Sequence, residues 1–176
     1  DPETDGIGHQ RITGAFMRGD PEVITLLNEQ LTAELTAINQ FFLHSKLQEN
    51  WGYRKLAEQT RDESFGEMRH AEWLTDRIIF LEGLPNYQRL GTLHIGQTVK
   101  EQLEADLALE QGVVDRLRTG IVTMRERGDI TSARIFEKIL EDEEEHIDYL
   151  ETELGLIEAL GEQLYLQHYI GDAESD

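Results

Sequence analysis

Residues 63–74 read ESFGEMRHAEWL and residues 139–150 read ILEDEEEHIDYL. In each stretch a Glu, followed three residues later by a His, interrupts an apolar stripe. Glu67 and His70 fall between Glu63 and Leu74, and Glu143 and His146 fall between Ile139 and Leu150. Residues at i and i+3 share a helix face, so each Glu-x-x-His directs both of its polar groups the same way. Of the 6 His in the chain, only these two stand three residues after a Glu.

Working outward, the same interruption recurs on two further stripes. Glu34 lies between Leu31 and Ile38, and Glu110 between Leu107 and Val114. Four stripes therefore each carry a carboxylate where a core should be driest. Burying such groups without compensation costs several kcal/mol each, so they must be protonated, paired with bases or neutralised by cations. The stripes offer no Lys or Arg at matching depth. Two divalent ions carry the four positive charges that four glutamates cancel, and the two imidazoles supply one neutral ligand per ion. The spacing agrees: 33 residues separate Glu34 from Glu67, and 33 separate Glu110 from Glu143. Each helix pair repeats the other's register, as expected of a site lying between two equivalent halves. Oxygen and imidazole donors suit Fe, Mn or Zn. Iron is favoured because two ions held about 3.5–4 Å apart let O₂ or peroxide take one electron from each.

Gly and Pro punctuate the chain, and between them apolar residues recur at steps of three or four. The first helix starts at Asp20-Pro21, an N-cap followed by a first-turn Pro. It runs to about Asn50 with Leu27, Leu31, Ile38 and Phe42 on one face. The second follows Trp51-Gly52, runs to about Glu82 with Leu56, Leu74, Ile78 and Leu81 on its stripe, and stops at Gly83-Leu84-Pro85-Asn86. A connector of about 12 to 15 residues exceeds what antiparallel neighbours need, so it is expected to travel along the bundle. The third helix opens on Thr98 and Glu101, spaced as a capping box, and ends near Gly128. Asp129 caps the fourth, whose stripe is Phe136, Ile139, Leu150, Leu154 and Ile157. Gly161 then turns into a short fifth helix, Glu162 to about His168. No β pattern appears. Residues 1–16 lack periodicity and read as a flexible tail, Met17 is a plausible native start, 17–170 read as one bundle, and 171–176 as a second flexible tail.

Composition narrows the function classes. The 176 residues, 39% of them hydrophobic, suit one domain with one well-developed core. No run of about 18 apolar residues is present, and the opening DPETDGIGHQ lacks the order of a secretory signal. A soluble, cytoplasmic protein is the expectation. The Cys count is 0, which removes disulfides, iron–sulfur clusters and thiol nucleophiles. A formal net charge of −20 argues against a nucleic-acid surface, which needs clustered Lys and Arg, and makes cations natural partners.

From Met17 to about Gln167 the chain resembles the bacterioferritins. The stretches that carry the likeness are MRGDPEVI, LTAINQFFLH, ESFGEMRHAE, FLEGLPNYQRL with IGQTV, DLALE and EDEEEHIDYLET. The resemblance implies an all-α, ferritin-like four-helix bundle with a long crossover between the second and third helices and a short fifth one. One Glu from each of two helices plus two Glu-x-x-His motifs is the ligand set described for such carboxylate bundles. The resemblance further implies a hollow homo-oligomeric shell of twenty-four subunits that oxidises Fe(II) with O₂ or H₂O₂, as a ferroxidase, and stores the product as a ferric mineral. It makes Glu34 and Glu110 terminal carboxylates, Glu67 and Glu143 bridges between two iron ions per subunit, and His70 and His146 terminal imidazoles. It also implies a haem b shared between two subunits, with Met68 as the axial ligand from each. An electron-donor protein for iron release is a further implied partner. The chain departs from the family pattern at Phe41, where many members carry a redox-active Tyr. It also departs at Asp62 and Gly66, where some members place the His and Asp of an extra iron site on the inner surface. Other di-iron carboxylate proteins, such as rubrerythrin-like peroxidases, and a non-catalytic haem-binding shell are the competing readings.

Overall fold

A computed structural model describes residues 19–171. The order is α1 (Pro21–Trp51), α2 (Arg54–Phe80), α3 (Val99–Glu126), α4 (Ile130–Leu160) and α5 (Glu162–Gln167). There is no strand among the described residues. Both expected tails lie outside them, apart from Gly171.

The helix boundaries follow local chemistry. Asp20 accepts from the Glu22 N–H at 2.8 Å, and Asp129 from the Ser132 N–H at 2.9 Å. Each side chain satisfies a backbone donor that the first turn leaves without a partner. At α3, Thr98 Oγ1 accepts from the Glu101 N–H at 3.2 Å, but the Glu101 carboxylate reaches Gln97 N at 2.7 Å rather than Thr98 N. The capping box is thus displaced by one residue. The turn after α1 requires a left-handed residue, and Gly52 supplies it with φ 93°.

α1 packs on α2 and α3 on α4, and the two hairpins meet through α1 with α3 and α2 with α4. Apolar clusters fill the two ends. One contains Leu27, Leu31, Leu74, Ile78, Phe136 and Ile139. The other contains Leu56, Val99, Leu103, Leu150, Ile157 and Tyr165. Between them lie Glu34 on α1, Glu67 and His70 on α2, Glu110 on α3, and Glu143 and His146 on α4, a buried belt of carboxylates and imidazoles.

The structure also differs from the sequence pattern at Phe42 and at the end of α2. The pattern puts Phe42 on the inner face, but it is 45% exposed while Phe41 is buried. The true inner seam of α1 runs through Leu27, Glu34, Phe41 and Gln48, all buried at seven-residue spacing. Repeated steps of four overrun the 3.6-residue turn, and by Phe42 the stripe has rotated off the core. The second helix stops at Phe80 rather than about Glu82, because Leu81 stays buried without being helical.

The crossover, residues 81–98, does travel along the bundle, tied to one face of α1. Asn28 donates to Leu84 O at 3.2 Å and accepts from Asn86 N at 2.8 Å. Farther along, Thr36 Oγ1 accepts from Gly91 N at 2.8 Å, Gln40 Oε1 from His94 N at 3.0 Å, and His44 Nε2 from Gly96 N at 3.0 Å. That last bond leaves the His44 proton on Nδ1, which faces Asp106 of α3 at 2.9 Å. Gln40 donates to the same carboxylate at 2.7 Å. At Gly96 an added Cβ would lie 2.3 Å from the Gln102 nitrogen, so only Gly permits this approach.

Candidate metal centre

All six ligands expected from the stripes converge in the polar belt. They form two overlapping groups, Glu34, Glu67, His70 and Glu143 in one, and Glu67, Glu110, Glu143 and His146 in the other. Within each group the ligand atoms lie within 4.8 Å of one another, and all the residues are buried. Glu67 and Glu143 belong to both. His70 Nδ1 stands 3.0 Å from Glu143 Oε1, 3.3 Å from Glu67 Oε2 and 3.4 Å from Glu34 Oε2. His146 Nδ1 stands 3.0 Å from Glu110 Oε1.

The donor set suits cations. Glu34 Oε2, Glu110 Oε2 and Glu143 Oε1 are buried without hydrogen-bond partners, although His70 approaches two of them in ion-pair contact. Orphaned buried carboxylate oxygens cost free energy that a bound cation removes.

Crowding sets the protonation of the metal-free chain. Burial, followed by repulsion from Glu143 and Glu34, pushes Glu67 well above the usual carboxylate range. Burial and then Glu143 and Glu67 do the same to Glu110. Burial also acts to raise Glu34, but hydrogen bonds with Glu67 and His70 outweigh it and hold that carboxyl below its ordinary value. For His70, burial works to lower the imidazole, yet hydrogen bonds to Glu143, Glu34 and Glu67 hold it far above its usual range. The His70 cation thus takes the neutralising role that a metal would otherwise fill.

Several contributors went unread in the sequence. Gln30 donates to Glu34 Oε1 from one turn earlier. Asp142 accepts from or pairs with His70 Nε2 at 3.0 Å. Glu63 reaches to 3.9 Å from His146 Nδ1. Gln30 and Glu63 each left a signal, an i,i+4 spacing from Glu34 and from Glu67, whereas Asp142 left none. Around the ligands, Trp73 lies against the His70 ring at 5.4 Å and Tyr149 stacks on His146 at 6.3 Å. Phe41 meets His146 edge-on at 5.3 Å. A cleft of about 340 Å³ bordered by Glu63, Gly66, Asp142, His146 and Tyr149 opens onto the site.

Met68 is not part of this convergence. It sits on the outer face of α2, 48% exposed, near the exposed Phe65.

Comparisons with known proteins agree with this architecture. The ferritin-like domain family matches residues 24–160. A bacterioferritin of Mycobacterium leprae is 67% identical over 149 residues, covering 85% of this chain and 94% of its own. Bacterioferritin BfrA of Mycobacterium tuberculosis has the same identity and coverage. A Streptomyces coelicolor bacterioferritin is 64% identical over 160 residues, with 91% and 96% covered. A solved mycobacterial bacterioferritin structure superposes with a TM-score of 0.87 at 63% identity, covering 89% of this chain and 100% of its own. With a ferritin-like bundle, two overlapping carboxylate–imidazole groups and two-thirds identity to these relatives, the chain belongs to the bacterioferritin family.

Proposed function

We propose that the protein stores iron and is a ferroxidase, oxidising Fe(II) at a dinuclear site within each chain. Family membership implies the storage role. The observation that carries the oxidation reading is the sharing of Glu67 and Glu143 by two otherwise separate ligand groups. Two ferrous substrate ions bridged by these carboxylates each give one electron to O₂, which leaves as peroxide after taking two protons. Glu34 with His70, and Glu110 with His146, complete the two ion positions as terminal ligands. The ferric product is stored as mineral inside a shell of twenty-four copies, in the cytoplasm. Residues 17–170 act as one unit in that shell. Anaerobic Fe(II) titration followed by O₂, run with light scattering, tests the reading. Two Fe(II) bound per chain, rapid oxidation on admitting O₂, and a particle near twenty-four times the 20.2 kDa chain are expected. A monomer, or a twelve-subunit particle, overturns the shell.

The residues also fit a haem held between two chains. Met68 is half-exposed on α2 while its neighbour Glu67 is buried, so its thioether is available to ligate a group that a second chain's Met68 would share. When bound, haem supplies a route for electrons toward stored iron. Met68→Leu should remove haem absorbance while leaving Fe(II) oxidation intact, because volume and polarity change little. Retained bis-thioether haem spectra in the variant would contradict the assignment.

A further inference from the structure

An offset of 76 residues carries Glu34 to Glu110, Glu67 to Glu143 and His70 to His146. It also carries Trp73 to Tyr149, so each imidazole has an aromatic partner three residues later. The supports behind the ligands break this symmetry. His70 Nε2 is held by Asp142 at 3.0 Å. The same offset places Gly66 where the counterpart of Asp142 would stand, and no described residue hydrogen-bonds His146 Nε2. Glu63 does not substitute, because it approaches Nδ1, on the ligand side of the ring.

The terminal carboxylates differ in the same sense. Gln30 donates to Glu34 Oε1. Its counterpart by the offset is Asp106, which cannot donate as a carboxylate and is engaged by Gln40 and His44 instead. Glu110 is held by His146 on Oε1 and by a hydrogen bond shared with Glu143, both of them ligands of the same site rather than supports behind it, and its Oε2 has no hydrogen-bond partner. Both terminal ligands of one position are therefore braced from behind, and neither terminal ligand of the other is. A carboxylate behind a ligating imidazole fixes its tautomer and ring orientation and raises its basicity, and losing such a partner typically costs about 10- to 100-fold in metal affinity.

Building on the dinuclear reading above, we propose that the two metal positions are unequal, with Glu34–His70 the tight position and Glu110–His146 the weak one, and that Asp142 and Gln30 are the positioning residues responsible. Asp142 holds Nε2–H of His70, so the ring already directs Nδ1 at the ligand site before any ion arrives, and Nδ1 becomes the donor atom once the ion displaces its proton. His146 must be oriented by the ion itself, so part of the binding free energy there goes into ordering the ring.

The test is anaerobic Co(II) titration of the assembled, metal-free protein, followed by visible absorption and equilibrium dialysis. Wild type should bind two Co(II) per chain in two resolved steps about tenfold or more apart. Asp142→Ala should weaken the first step about 10- to 100-fold and leave the second nearly unchanged. Asp142→Asn retains an acceptor for Nε2–H and should largely restore it, which a general loss of negative charge would not do. Gly66→Asp should tighten the second step, since it restores the carboxylate that the offset pairs with His146, and a Cβ there meets only Arg69 Nη2, at an ordinary 3.7 Å. Two equal steps in wild type, or equal weakening of both steps in Asp142→Ala, overturn the asymmetry while leaving the dinuclear reading intact. Failure to bind two Co(II) at all overturns that reading instead.

Discussion

In Glu67→Ala, fast O₂-dependent oxidation of the first two Fe(II) per chain should be lost, by roughly a hundredfold or more, while the metal-free protein melts at the same temperature or higher. Glu67 is one of the two residues common to both ligand groups, so its removal takes an anionic ligand from both ions and disrupts their pairing. The stability result follows from the site's own repulsion. Glu67 titrates well above its ordinary value of 4.5, from burial first and then from Glu143 and Glu34. A carboxyl whose folded pKa is raised binds its proton more tightly in the folded state. Its contribution is therefore most favourable below the unfolded value and is lost as pH rises through the raised folded one. Deleting Glu67 removes that decline, so the variant's advantage over wild type should grow from about pH 4.5 upward. Stopped-flow oxidation and thermal melts on one preparation check both halves. Wild-type oxidation rates in the variant would sink the dinuclear assignment. A less stable variant with unaltered iron chemistry would indicate a merely structural network.

Loading the metal-free site with Fe(II) or Co(II) under anaerobic conditions should expel at least about one proton per chain near neutral pH, the one on His70, and more as pH falls into the raised carboxyl range. The sources are the His70 cation and the raised Glu67 and Glu110 carboxyls. Glu34, held below its ordinary value, is already ionised and releases none. Each displaced proton steepens the pH dependence, so apparent affinity should climb by about tenfold per pH unit for every proton released. A pH indicator in weakly buffered solution, read alongside titrations at several pH values, measures both quantities. Affinity independent of pH would mean that the imidazole and carboxyls do not carry the protons assigned to them.

The six ligands were legible because an acid on an apolar stripe is anomalous, and four such anomalies at matched spacing have few explanations. Their supports were not. Asp142 belongs to the acidic run 141–145, where any one residue reads as a solvated face, and its approach to His70 depends on how α4 lies against α2. The bundle and its crossover were equally plain, since Gly52, Gly83 and Gly128 punctuate long periodic runs. Phe42 misled because steps of four and of 3.6 diverge after several turns. Leu81 misled because burial continues past the last helical residue, where its carbonyl accepts from Gly19 N at 3.2 Å.

The crossover also bears on the order in which the chain folds. Its bonds to Asn28, Thr36, Gln40 and His44 join residues 52 to 58 apart in sequence. Contacts within each helical hairpin begin beside a tight turn and demand far less loop closure. Those four side chains line up on one face only once α1 is helical, so the segment has nothing to dock on in the unfolded chain. The expected order is therefore that α1 forms first and serves as a template onto which residues 81–98 dock, with protection of the crossover amides in pulse-labelled hydrogen exchange appearing after that of α1. Because His44 bonds both Gly96 of the crossover and Asp106 of α3, the segment that docks on α1 also sets the register of α3 against it.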